Sequence, residues 1–207
     1  YSLHRSLSPE GPGFAEAYEF VSLGAVASGG FGDVYRMRRR ADGLEVAVKF
    51  LKAEVASWPT VAERFARESR TLRAVAELGG HPNLLPWIED GTEGQRAFLV
   101  TRWAAGGSLR NALLAQPGGL DLDSGLRWLR EVLAGLRALH DWGLIHRDVK
   151  PGNLYLAGEG ECGGPAWLGD FGVVLPLDEA RMTQVGHSSP GTRGYAPPEQ
   201  LLGGEQD

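Results

Sequence analysis

Polar and apolar residues alternate along Glu45-Val46-Ala47-Val48-Lys49-Phe50, the period of a strand with one buried face. Ala41-Asp42-Gly43 just before it carries a hairpin-turn signal. Residues 19–50 as a whole alternate short β-rich runs with glycine breaks. Over residues 60–78 the period changes to that of a helix: Val61, Phe65, Leu72 and Val75 fall near one face, and Thr60 with Glu63 forms a capping-box pattern. His81-Pro82-Asn83 breaks the helix, and residues 84–88 and 97–101 read as two further strands. Ser108 starts a short helix that ends near Pro117. Asp123 or Ser124 caps a long helix striped by Leu126, Leu129, Leu133, Leu136 and Leu139 and closed by Trp142-Gly143. Two short strand-like runs follow, 154–156 and 166–168, with a loose glycine-rich loop between them. Residues 173–191 read as a loop rich in hydroxyls. The expected organisation is α+β: a flexible leader over 1–18, a five-stranded antiparallel unit with one helix over 19–101, a linker over 102–107, and a mainly helical unit over 108–207.

Composition narrows the function classes. The chain has 207 residues, 43% hydrophobic and 23% charged, as in ordinary globular proteins. Its net charge of −5 supplies no basic field for nucleic acid or an anionic membrane. No apolar run approaches the ~18 residues that span a bilayer. The single cysteine, Cys162, excludes an internal disulfide and suits a reducing, cytoplasmic compartment. The five histidines show no zinc-ligand spacing, and His146 reads as a buried structural histidine rather than a base.

Four segments carry chemistry. In His146-Arg147-Asp148-Val149-Lys150-Pro151-Gly152-Asn153 one short loop holds a carboxylate, an ammonium and a carboxamide. A carboxylate can orient a hydroxyl, an ammonium can hold phosphate charge, and an amide oxygen can bind Mg²⁺. In Ala27-Ser28-Gly29-Gly30-Phe31-Gly32-Asp33-Val34, glycines would let backbone N–H groups approach phosphates; alone, the segment reads first as a tight hairpin. Lys49 on the following strand and Glu68 on the helix after it could form an ion pair that aims the ammonium at phosphates; each alone would read as a surface charge. Asp170-Phe171-Gly172, downstream of Asn153, supplies a second oxygen ligand for a cation. So few oxygen ligands, completed by water and phosphate, favour Mg²⁺ or Mn²⁺ over Zn²⁺.

With these motifs in this order the chain resembles eukaryotic-type Ser/Thr protein kinases, most closely the bacterial members, from Val26 to Glu199. The resemblance implies a bilobal protein-kinase-like fold, ATP and Mg²⁺ (or Mn²⁺) as cofactors, and protein substrates phosphorylated on Ser or Thr. It implies Asp148 as the catalytic base, Lys150 as the group steadying the transferred phosphoryl, and Lys49, Glu68, Asn153 and Asp170 in the roles above. Val26, Val34, Ala47 and Tyr155 would enclose the adenine. Thr101 matches the gatekeeper, and Arg102, Trp103 and Ala104 the hinge. Leu72, Trp87, His146 and Phe171 match a stacked spine. Gly191-Thr192-Arg193-Gly194-Tyr195-Ala196-Pro197-Pro198-Glu199 resembles the end of an activation segment, with Thr192 touching Asp148 and Lys150. Arg147 before Asp148 implies activation by a phosphate on the loop, with Thr183, Ser188 and Ser189 as acceptors and self-association as a route to autophosphorylation.

The sequence departs from the family pattern in places. Ala27 stands at the first loop glycine, Arg102 where a hinge acid is common, and Pro197 for the alanine of Ala-Pro-Glu. The chain starts at Tyr1 and ends at Gly203-Gly204-Glu205-Gln206-Asp207, and the expectation is a partial C-lobe whose later helices are missing. A nucleotide-dependent scaffold without catalysis and a small-molecule kinase of related fold are the rival readings. The intact set Lys49, Asp148, Asn153 and Asp170 speaks against the first, and the activation-segment pattern against the second.

Overall fold

The computed structural model describes residues 13–22, 24–116, 118–158, 164–176, 192 and 194–196. They form two compact units, one running to Arg73 and resuming over Pro86–Trp103, the other taking 74–85 and the residues from Ala104 onward.

The first unit is built on an antiparallel sheet. Its strands are β1 (Tyr18–Phe20), β2 (Ala27–Ser28), β3 (Gly32–Arg39), β4 (Glu45–Leu51), β5 (Trp87–Glu93) and β6 (Arg96–Arg102). The order is β1-β3-β4-β6-β5, and β2 also pairs with β3. β1 meets the far end of β3 (Phe20 opposite Met37) and β2 the near end (Ala27 opposite Val34). Six segments therefore fill the five expected positions. The alternation read in β4 holds: Val46, Val48 and Phe50 are buried with Met37, Phe98 and Val100. The turn before β4 works as its residues suggest. Gly43 takes φ +72°, its N–H reaches the Arg39 carbonyl, and the Asp42 carboxylate accepts the Leu44 N–H at 3.1 Å.

The leader expectation needs correction at its end. Residues 14–17 form a helical turn, α1 (Phe14–Ala17), and Phe14 and Tyr18 are buried in the same core. Phe14 packs its ring 4.8 Å from Phe98 and 5.3 Å from Phe50, and Tyr18 donates to Glu89 at 2.6 Å. Two large aromatic rings removed from water hold this segment in place. The expected single helix is accompanied by a second short turn, α2 (Ala53–Ala56), ahead of α3 (Pro59–Glu77). α3 begins at Pro59, so Thr60 lies inside the first turn and is not its cap; the Trp58 carbonyl accepts from Val61 and Ala62.

The expected strand over 84–88 is divided. Leu84 and Leu85 pair with Leu168 of the second unit, and β5 starts only at Trp87. Pro86 between them has no N–H to continue a ladder. The second unit holds α4 (Leu109–Ala115), capped by Ser108 as read, and α5 (Leu122–Asp141). It also holds the two-stranded pairs β7 (Leu144–Ile145) with β10 (Leu175–Pro176), and β8 (Leu154–Leu156) with β9 (Ala166–Leu168). The cap of α5 is Asp121, which accepts the Ser124 N–H at 3.0 Å, not Asp123 or Ser124. Its buried seam is Trp128, Val132, Gly135 and Leu139, while Leu126, Leu129 and Leu133 are exposed. The seam is set by close approach: a Cβ on Gly135 would lie 2.9 Å from the Asn83 carbonyl oxygen. Among the described residues no helix is long and apolar enough to cross a membrane.

Candidate active site

In the first unit the glycine segment is the β2–β3 hairpin. The Gly29 N–H donates to the Gly32 carbonyl at 3.0 Å and closes the turn. Gly32 is required by proximity, since a Cβ there would sit 2.7 Å from the Phe50 carbonyl oxygen. Directly paired residues share a face of an antiparallel sheet. The face opposite the core therefore carries the row Ala27, Val34, Lys49 and the row Ala47, Thr101. Lys49 donates from its ammonium to Glu68 at 2.5 Å, and Glu68 is buried on α3. A buried carboxylate paired with an ammonium fixes the direction of both groups. Arg102 ends β6 exposed, while the Trp103 backbone N–H donates to the Glu45 carbonyl at 3.3 Å and the Arg36 guanidinium lies 5.3 Å above the Trp103 ring.

In the second unit the loop His146–Asn153 follows β7, and His146 organises it. His146 is 1% exposed. Its Nε2–H donates to the Gly169 carbonyl at 3.0 Å, and its Nδ1 accepts the Asp148 N–H at 3.3 Å. Those partners define a neutral ring with the proton on Nε2. Burial pushes its pKa down, against the bond to Gly169. Arg147 and Asp170 are the described non-glycine residues with left-handed backbones, at φ +67° and +62°. Strain of that kind persists only where the surroundings impose it, and it concentrates at functional sites.

Asp148 is the hub. Its carboxylate accepts from the Lys150 ammonium at 2.7 Å, the Thr192 hydroxyl at 2.8 Å, the Thr192 N–H at 3.1 Å and the Asn153 amide at 3.0 Å. Lys150 also donates to the Thr192 hydroxyl at 2.6 Å. Burial pushes the Asp148 pKa up, but donation from Lys150, Thr192 and Asn153 outweighs it and holds the carboxyl below its usual range. The Asn153 nitrogen also donates to the Asp148 carbonyl at 2.8 Å, so its amide oxygen is the atom it can offer a cation. Phe171 is fully buried with its ring 5.4 Å from His146.

The residues read from sequence thus fall into two sets. One unit gathers the glycine hairpin, Val26, Val34, Ala47, Lys49, Glu68, Thr101, Arg102 and Trp103. The other gathers Asp148, Lys150, Asn153, Tyr155, Asp170 and Thr192 with Ala104. Thr183, Ser188 and Ser189 lie outside the described residues. Gly169 is a functional position the sequence reading missed. A Cβ there would come within 2.8 Å of the Tyr155 ring, so only glycine lets the backbone before Asp170 pass. Its signal was a glycine set between a buried strand and the Asp. No group of three or more His, Cys, Asp or Glu side chains among the described residues could hold a metal. A cation bound by Asn153 and Asp170 would need oxygens from outside the protein, as a phosphate-bridging Mg²⁺ does.

Comparison with known proteins agrees with this geometry. Residues 20–207 match the protein kinase domain. Serine/threonine-protein kinase pkn2 of Myxococcus xanthus is 36% identical over 191 residues, covering 91% of this chain and 22% of the relative. Serine/threonine-protein kinase PknA of Mycobacterium tuberculosis is 37% identical over 183 residues, covering 86% of this chain and 40% of the relative. Serine/threonine-protein kinase PknL of Mycobacterium bovis is 37% identical over 182 residues, covering 88% and 43%. The chain spans less than half the length of each of these relatives. A match over most of the chain, on residues that hold the two polar sets just described, establishes that this chain belongs to the protein kinase domain family.

Proposed function

We propose that the protein transfers the γ-phosphoryl group of ATP to serine or threonine hydroxyls of protein substrates. The observation that carries this reading is the Asp148 hub: a buried carboxylate kept ionised and oriented by Lys150, Thr192 and Asn153. Such a group can accept a hydrogen bond from an incoming hydroxyl and take its proton as the new P–O bond forms. The bond from the γ-phosphorus to ADP breaks in the same step, and ADP leaves. Lys150, bonded to both Asp148 and Thr192, stands where it can hold charge on the phosphoryl oxygens. Thr192 against the base would place the substrate backbone so that its hydroxyl reaches Asp148.

Lys49, aimed by Glu68, would hold the α- and β-phosphates, and the backbone of the glycine hairpin would cover them. Val26, Val34, Ala47 and Tyr155 would enclose the adenine, with Thr101 behind it and Arg102, Trp103 and Ala104 offering backbone groups to its edge. Asn153 and Asp170 would hold Mg²⁺ or Mn²⁺, which when bound neutralises phosphate charge. A cytoplasmic location fits the single cysteine.

The test is an acceptor panel: the protein with ATP and Mg²⁺, offered a basic protein substrate, an aminoglycoside and choline. Phosphoserine or phosphothreonine on the protein acceptor, absent from the Asp148→Asn variant, is the expected result. Phosphorylation of a small molecule alone would overturn the protein-substrate reading.

A further inference from the structure

The glycine hairpin is gripped from below by a residue with no place in the phosphate-binding scheme. Lys52 follows β4. Its backbone N–H donates to the Phe31 carbonyl at 3.1 Å. Its ammonium donates to the Gly29 carbonyl at 2.8 Å and to the Ser28 hydroxyl at 3.0 Å, and lies 3.4 Å from the Asp33 carboxylate. Ser28 in turn donates to Asp33 at 2.7 Å. A hydroxyl has one proton to give and lone pairs to receive, so Ser28 can give to Asp33 while accepting from Lys52. The three side chains therefore close a ring across the hairpin, Ser28 on the outgoing strand and Asp33 on the returning one. The Asp33 carboxyl is held below its usual range by donation from Ser28, with Lys52 adding to the effect.

Glycine-rich turns lose much conformational freedom when ordered, and a loop that must present backbone N–H groups binds better when already shaped. The ring supplies that shape from outside the loop's own sequence. At the tip, Arg64 of α3 stands 5.4 Å from the Phe31 ring, a second hold on the same turn.

We propose that Lys52, acting with Asp33 through Ser28, is a positioning residue that preforms the glycine hairpin for the nucleotide phosphates. The inference rests on the reading of that hairpin as an ATP-phosphate cradle. It differs in sign from the simpler idea that Lys52 attracts phosphates by its charge. If charge were the whole effect, removing the acid at Asp33 would strengthen ATP binding. If shape is the effect, removing Asp33 weakens it.

The experiment measures binding of mant-ATP with Mg²⁺ by fluorescence for the wild-type protein and for Lys52→Met, Lys52→Arg, Asp33→Ala, Ser28→Ala, Lys49→Met and the Lys52→Met/Asp33→Ala double variant. Lys52→Met and Asp33→Ala each weaken binding about two- to fivefold, the range of an exposed charged pair. The double variant is no weaker than about the worse single one, because both changes open the same ring. Lys52→Arg keeps most of the affinity, and Ser28→Ala falls with the other ring variants. In turnover assays the loss falls on KM for ATP rather than on kcat. Tighter binding by Asp33→Ala, or a Lys52→Met affinity equal to that of the wild type, overturns the inference and leaves the ATP reading standing. A wild-type protein that does not bind mant-ATP overturns both, and so does a Lys49→Met variant that binds as tightly as the wild type.

Discussion

The residue that concentrates most chemistry is Asp148, and its environment predicts how it fails. Asn at that position would present an NH₂ group toward donors that now point at a carboxylate, Lys150 and the Asn153 amide. It would also lose the negative charge a base requires. We expect Asp148→Asn to lower kcat by at least about 10²-fold with little change in ATP affinity, since general-base groups contribute on that order; a loss under about tenfold would remove Asp148 from this role. Asp170→Ala should raise the Mg²⁺ concentration needed for half-maximal rate, and an unchanged Mg²⁺ dependence would move the metal elsewhere. His146 gives a prediction in pH. Its pKa is lower folded than unfolded, so the unfolded chain takes up the proton first as pH falls below its ordinary ~6.5. The stability that neutral His146 contributes is complete above that value and declines as pH drops toward the folded pKa. Thermal melts of wild type and His146→Asn should therefore lie furthest apart at about pH 7.5 and converge toward about pH 5. The acid and the amide were legible because their spacing in one loop is short and fixed. His146 was legible as a buried structural histidine, but its partner Gly169 was not, because that residue comes from another part of the chain.

Among the elements, β4 was read correctly because its alternation reflects one buried face and one that carries Ala47 and Lys49. For α5, leucine spacing marked one face of the helix but does not say which side is covered. Trp128, Val132, Gly135 and Leu139 also recur at helical spacing, and only the contact with Asn83 and Leu84 decides between the two faces. The two readings give opposite expectations. Trp128→Ala should destabilise the protein by about 3–5 kcal/mol and Leu129→Ala by under ~1 kcal/mol. Equal losses in chemical denaturation, or a larger one at Leu129, would make the leucine face the seam instead. The caps were harder still. Asp121, Asp123 and Ser124 are all good N-caps by type, and the observed one is fixed by the bond from the Ser124 N–H. At 84–88 the apolar run hid a change of unit, which Pro86 marked but did not by itself reveal.

At the scale of the molecule, the order of motifs along the chain made the fold class legible, since each motif belongs to one place in one architecture. What lay beyond it was the contribution of Phe14 and Tyr18, which precede the family match at residue 20 and still fill the core of the first unit. The same scale carries the regulatory expectation. Arg147 is buried beside Asp148 with a left-handed backbone, so the loop that holds this carboxylate also holds a guanidinium. A phosphate brings about −1.5 to −2 charges and strong acceptor oxygens, and a guanidinium binds it bidentately. Between Asp170 and Thr192 the sequence supplies Thr183, Ser188 and Ser189 within a few residues of Thr192, which bonds to Asp148. We expect protein incubated with ATP and Mg²⁺ to carry phosphate within residues 173–192, and phosphatase treatment to lower its rate. Asp148→Asn should acquire none, which separates self-modification from a contaminating kinase. Arg147→Ala should acquire the phosphate yet gain little rate from it, because the modification would have lost its partner. Active protein with no phosphate in this segment by mass spectrometry, at a rate unaltered by phosphatase, would show that Arg147 serves the loop without reading a phosphate.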